Sequence, residues 1–174
     1  MNERSAIQEL TSRLEQLEAE KAVRAVMARY MELCDDLGPA TPMDELGELF
    51  AQDAVWAGVG PRYAATFGGY EGRDAIVAML GRYRGPPPHF AMNAHFLCSE
   101  SITVDRESAR GSWMMLQAST YADGRSDLRS ARLRVRFVRE QGEWRISRFE
   151  TENLFSRAVE RWDDPTPVPV PAKS

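Results

Sequence analysis

The sequence predicts an α+β fold in which N-terminal helices pack under a strongly curved antiparallel or mixed sheet. Three observations carry that expectation. Apolar residues in the first half recur at steps of three and four, the period of a helix. In the second half, long runs alternate apolar and polar residues, as in Leu133, Val135 and Phe137 against Arg132, Arg134 and Arg136. The joints between those runs, Asp105-Arg106-Glu107-Ser108, Asp123-Gly124 and Gln141-Gly142, carry turn chemistry. Helices first and a meander afterwards spell α+β rather than α/β, and no internal repeat is visible.

The elements follow in order. Leu10, Leu14 and Leu17 open a helical pattern that continues through Val23, Val26, Met27, Tyr30, Leu33, Cys34 and Leu37 and stops at Gly38-Pro39. The stretch before Lys21 is more charged and reads as a helical arm that packs on a neighbour or subunit. A second helix is expected from Thr41-Pro42, with Thr41 as N-cap, Pro42 in the first turn and Asp44 favoured by the helix dipole, through Leu46, Leu49 and Phe50. Asp53 to Val59 reads as a short strand holding Trp56. Gly58 to Gly72, rich in glycine and aromatics, reads as a loop with one strand at most. Arg73 to Tyr83 is a third helix with Ile76, Met79 and Leu80 on one face, ended by Pro86-Pro87-Pro88. Strands are expected over His89 to Val104, Arg110 to Ala122, Leu128 to Glu140 and Glu143 to Asn153. The organisation is thus an arm (1–20), one domain (21–158) and a Pro-rich tail (159–174) expected to be extended or disordered.

Composition narrows the function. With 22 basic and 26 acidic residues the net charge is −4, and the isoelectric point is near 5.3, which argues against nucleic acid as partner. No apolar run reaches membrane-spanning length, and Met1 to Glu9 lacks a signal-peptide core. The expectation is a cytoplasmic protein that does not act on membranes. The two cysteines, Cys34 and Cys98, read as buried free thiols. Two histidines without metal-ligand spacing predict no metal, and no cofactor motif is present.

Five stretches follow one another along the chain: Leu17-Glu18-Ala19-Glu20-Lys21-Ala22-Val23 through Tyr30 to Asp35, Leu49-Phe50-Ala51-Gln52-Asp53-Ala54-Val55-Trp56, the Gly72 to Leu80 helix, His95 ahead of Ile102-Thr103-Val104-Asp105, and Gly142-Glu143-Trp144-Arg145-Ile146. Together they resemble the SnoaL-like family of the nuclear transport factor 2-like superfamily. The resemblance runs from Leu17 to Phe155 and implies a cone-shaped α+β barrel. That family includes bile-acid dehydratases, scytalone dehydratase, lindane dehydrochlorinase and polyketide cyclases, with ketosteroid isomerase and formaldehyde-releasing lyases of aromatic diols further off. It also holds non-catalytic members, so fold alone does not assign function.

In the bile-acid dehydratase branch the resemblance implies a Tyr, an Asp five residues later, and a His opening a strand. These fall on Tyr30, Asp35 and His95. A neutral imidazole takes a proton near pH 7, since its unperturbed pKa is about 6.5. A carboxylate on its other nitrogen fixes the tautomer and stabilises the imidazolium. A phenol donates to a developing oxygen anion. Helical geometry sets Asp35 about 140° from Tyr30, on a shoulder row with Met27 and Met31. An acid near a helix C-terminus opposes the dipole, which points to another use for it. His89, Asn93 and His95 share strand parity, and His89 is the rival base. Met31, Trp56, His89, Asn93, Met115 and Arg148 are candidate substrate contacts. Arg148 shares parity with Trp144 and Ile146 and would anchor an anionic or phenolic group.

The expected function is a cofactor-independent lyase on a ring-bearing hydrophobic small molecule, with dehydration first. Formaldehyde loss from an aromatic diol, isomerisation or cyclisation at the same site is the alternative. A non-catalytic binding or assembly module is the reading from another class. Trp113, Phe137 and Trp144 cannot all be taken to point inward, so a homodimer or homotrimer is expected.

Overall fold

The first helix, α1 (Glu3–Asp35), has two halves of different character. In the C-terminal half Val23, Met27, Tyr30, Met31, Leu33 and Cys34 are buried. In the N-terminal half Ile7, Leu10, Leu14 and Leu17 form an apolar row that is between 56% and 65% exposed. The helix runs unbroken across residue 20, so the arm and the domain share one rod. The computed structural model describes residues 3–160 and 162; of the tail expected over 159–174, Val159 belongs to the last strand, and residues 161 and 163–174 lie outside the described residues.

After α1 come α2 (Met43–Glu48), β1 (Phe50–Val59), α3 (Gly60–Phe67), β2 (Gly69–Glu71) and α4 (Arg73–Gly81), which tightens into a 3₁₀ turn over Arg82–Arg84. Four long strands follow: β3 (Phe90–Asp105), β4 (Ser108–Tyr121), β5 (Ser126–Glu140) and β6 (Glu143–Val159). With β1 and β2 they form one six-stranded sheet in the order β2-β1-β6-β5-β4-β3. Only the β1–β6 pairing is parallel. The sheet is mixed, curved and unclosed, and β3 and β6 pack on α1. Bulges bend the long strands. One lies between Cys98 and Ser101, where Ser99 takes a positive φ of 50°; another lies between Ile146 and Arg148.

Several sequence expectations are corrected. Thr41 does not cap α2, whose N-cap is Pro42 and has no side-chain cap bond. Its hydroxyl instead closes the end of α1, accepting from Gly38 N–H at 2.7 Å and donating to the Asp36 carbonyl at 2.6 Å. Gly58 to Gly72 holds one strand, β2, as allowed for, but the rest is not a loop and contains all of α3. Pro61 pre-sets its first turn, and Tyr63 and Phe67, one turn apart, pack edge to face with centroids 4.8 Å apart. Gly58 lets β1 lie against this helix, since a Cβ there would sit 2.5 Å from the Tyr63 carbonyl oxygen. β6 extends to Val159, past the expected end at Asn153.

Trp113, Phe137 and Trp144 are all buried within the single chain, which removes the ground on which sheet-to-sheet assembly was expected. Trp113 lies flat over Gly111, where a Cβ would meet the indole at 2.2 Å, and its N–H reaches Glu100 at 3.1 Å. Cys98, expected to be buried, is exposed. No described helix is long and apolar enough to cross a membrane.

Candidate active site

Between α1, α3, α4 and the concave face of the sheet lies a cavity of about 260 Å³. Its wall is mostly apolar and aromatic, with a few polar groups at defined places, the usual make-up of a small-molecule site.

Asp35 closes α1, and β3 is an edge strand. Each supplies what the other lacks. An edge strand offers N–H groups with no sheet partner, and a helix end offers carbonyls with no helical partner. The Asp35 carboxylate accepts the His95 backbone N–H at 3.0 Å, and the Cys34 carbonyl accepts Asn93 Nδ2 at 3.1 Å. These bonds offset the unfavourable placement of an acid at the negative end of a helix dipole. They also bring the His95 ring to the same carboxylate, with Nδ1 2.6 Å from Asp35 Oδ1. A carboxylate only accepts, so Nδ1 carries the proton of the neutral ring and Nε2 keeps its lone pair. The His95 side chain is 11% exposed and lines the cavity.

Tyr30 lies 3% exposed in the same wall. Its hydroxyl accepts the Trp56 indole N–H at 3.1 Å. Its ring meets Phe149 and Phe50 edge-on at 5.1 and 5.5 Å, and Trp56 stacks on Phe149 at 5.8 Å. Burial, reinforced by the neighbouring Cys34 thiol, holds the Tyr30 phenol well above its usual value. Burial likewise pushes the Cys34 thiol up to about 12. Both therefore stay protonated, and Tyr30 offers a neutral O–H donor rather than a phenolate.

Asn93 is a hub. Besides bonding Cys34, its Oδ1 accepts from Gln117 Nε2 at 2.9 Å and Ser119 Oγ at 2.8 Å. Met31, Trp56, His89, Asn93 and Met115 all line the cavity. His89 stands in an aromatic cluster, its ring edge-on to Phe90, Tyr83 and Tyr121 at 4.6, 5.0 and 5.2 Å; no carboxylate among the described residues pairs with it.

Arg148 is not brought to this site. The bulge at Ser147 shifts the alternation of β6, so Phe149 and Thr151 face the cavity while Arg148 turns to the other side of the sheet. There it pairs with Glu150 at 2.7 Å and borders a broad outer depression with Arg134 and Arg136. The sequence reading missed Gln117 and Arg129, which line the cavity. The signal was available for Arg129: it shares odd parity with Leu133, Val135 and Phe137.

The SnoaL-like domain matches residues 15–150. The chain belongs to the SnoaL-like domain family. Solved structures of the same fold include an NTF2-like protein with a cystatin-like fold from Novosphingobium aromaticivorans, 28% identical, covering 84% of this chain and 89% of that one with a TM-score of 0.67. A second from the same organism carries the provisional name scytalone dehydratase; it is 21% identical and covers 85% of this chain and 95% of its own, with a TM-score of 0.67. A third is the hexachlorocyclohexane dehydrochlorinase LinA-type3 of Novosphingobium barchaimii, 15% identical, covering 90% and 97% with a TM-score of 0.68. No curated protein matches the sequence.

Proposed function

We propose that this SnoaL-like protein is a cofactor-independent lyase that removes water from a ring-bearing hydrophobic small molecule. The observation that carries the reading is the 2.6 Å contact between His95 Nδ1 and Asp35 beside a largely apolar cavity. His95 Nε2 takes a proton from a carbon next to an electron-withdrawing group. The electrons of that C–H bond become the new C=C bond, and the hydroxyl on the adjacent carbon leaves with the C–O pair. The proton on His95 and the departing hydroxide make up the released water. Asp35 stabilises the imidazolium while it exists. Tyr30, kept neutral by burial, holds the leaving oxygen by a hydrogen bond without surrendering its proton. The names dehydratase and dehydrochlorinase borne by two structural relatives both denote eliminations, which supports this choice among reactions.

The test is a panel of ring-bearing hydroxy compounds incubated with the protein and followed by mass spectrometry. Loss of water, abolished in a folded His95→Ala variant, is the expected result. Loss of formaldehyde would move the reading to a carbon–carbon lyase in which the same base takes a hydroxyl proton, the O–H pair becomes the C=O of formaldehyde, and the C–C pair stays on the adjacent carbon. Binding without any product would favour a ligand-binding module. The proposal extends to assembly: a homodimer or homotrimer would cover the row Ile7, Leu10, Leu14 and Leu17. A light-scattering mass equal to the 19.6 kDa chain would contradict it.

A further inference from the structure

The arm of α1 carries a pattern that the cavity does not use. Ile7, Leu10, Leu14 and Leu17 repeat at steps of three, four and three, the a and d positions of a heptad. All four are more than half exposed. An apolar row of this kind, left in water, marks a contact surface.

The direction of the row turns it away from its own domain. At 3.6 residues per turn it is centred about 150° from the face made by Val23, Met27, Tyr30 and Cys34, which packs into the domain. Because α1 is one unbroken rod, the row points away from its own sheet. Lys21 and Arg24 take the next a and d positions and are exposed, and Arg24 turns to Glu100 of its own chain at 2.7 Å. The apolar seam therefore stops at Leu17, where the domain begins. A lipid surface suits the arm poorly, since glutamates outnumber arginine and lysine over residues 3–21 and membrane surfaces draw basic segments. A helix with the same seam suits it well.

Charge sets the direction of that helix. Arg13 is a g position and Glu18 an e position, one on each flank of the seam. In a parallel pair the g residue of one helix meets the e residue of the next heptad on the other, so Arg13 meets Glu18 of the partner subunit on both flanks. An antiparallel pair that sets Leu10 over Leu14 of the partner subunit would instead set Arg13 against Arg13 of the partner subunit. Arg13 now pairs with Glu9 of its own helix at 2.6 Å, with both side chains exposed, and such a pair exchanges at little cost. Ile7 at an a position with Leu10 and Leu17 at d positions favours two strands over three. Two heptads are marginal as a free peptide, but here the folded domain has already nucleated the helix.

We infer that the arms of two copies of this chain pair as a parallel two-stranded coiled coil over Ile7 to Leu17, with the two domains on the outside. The pairing rests on the homo-oligomer proposed above and is independent of the lyase chemistry.

Sedimentation equilibrium on the full chain tests it. The expected mass at tens of micromolar is twice that of the 19.6 kDa chain. Leu10→Asp with Leu14→Asp should raise the dimer dissociation constant about 100-fold or more, and both residues are exposed, so the domain should keep its fold. Arg13→Glu should weaken the dimer about 5-fold, and adding Glu18→Arg should restore it. Glu3, at the preceding d position, reads the direction: Glu3→Cys, in a Cys98→Ser background that removes the exposed thiol, should form a disulfide between subunits on mild oxidation. An assembled mass that survives Leu10→Asp with Leu14→Asp overturns the arm as the seam while leaving assembly standing. A trimer mass, a dimer that Glu18→Arg does not restore, or no disulfide from Glu3→Cys overturns the parallel pair. A monomer mass overturns the pairing and the assembly together, and arm-dependent binding of that monomer to phosphatidylserine vesicles would give the row to a lipid surface.

Discussion

Two ion pairs of nearly equal length sit on opposite faces of the same sheet. His95 and Asp35 meet at 2.6 Å in the cavity wall, and Arg148 and Glu150 meet at 2.7 Å on the far side. Length does not separate them; surroundings and chemistry do. Arg148 is a permanent cation, 39% exposed, and an exposed pair of this kind contributes about 0–1 kcal/mol at most. His95 is held by its backbone and its ring at once, is mostly dry, and keeps a lone pair on Nε2 that can accept a proton. The same geometry is a surface ornament in one place and a base with its orienter in the other.

The most severe way to break that contrast is to remove the base. His95→Ala should lower turnover by about 10²- to 10⁴-fold with folding intact, as followed by product formation and circular dichroism. Phe149 carries the largest expected effect on stability, since it packs against both Tyr30 and Trp56. Phe149→Ala should destabilise by about 3–5 kcal/mol in urea unfolding. Tyr30→Phe keeps the packing but loses the donor, and turnover should drop about 10²-fold.

The Cys34 thiol sharpens the description of the cavity wall. Its value of about 12 in the folded chain, against an ordinary 9.0, means the folded state binds more protons than the unfolded state between those pH values. Stability should therefore decline as pH rises above 9.0, and Cys34→Ser should soften that decline. A thiol reagent near neutral pH should modify exposed Cys98 quickly and Cys34 only on unfolding. The smallest effect belongs to Arg148→Ala, which should leave activity unchanged and stability within about 0.5 kcal/mol.

The helical period around Tyr30 and the alternation around Leu133 were enough to read the order of elements, and the resemblance pointed to Tyr30, Asp35 and His95. What stayed hidden has physical causes. α3 is short and begins with Gly60-Pro61, so its two aromatics looked like loop residues. The bulge at Ser147 reverses parity within one strand, and alternation counted from Trp144 carried Arg148 to the wrong face. Thr41 can cap forwards or backwards, and only the tertiary turn at Gly38 decides. Arg129 was legible by parity but stood outside the run Arg132, Arg134 and Arg136 that drew attention. The meeting of Asp35 with the His95 backbone depends on β3 being an edge strand, a property of sheet order that one sequence does not display.

The measurement that bears most directly on the central claim is a double-mutant cycle on His95→Ala and Asp35→Asn, each variant checked for folding. Groups that act as one unit are non-additive, so the double variant should turn over about as slowly as His95→Ala alone. Losses that simply multiply, or near-parental turnover in folded His95→Ala, would contradict the dyad.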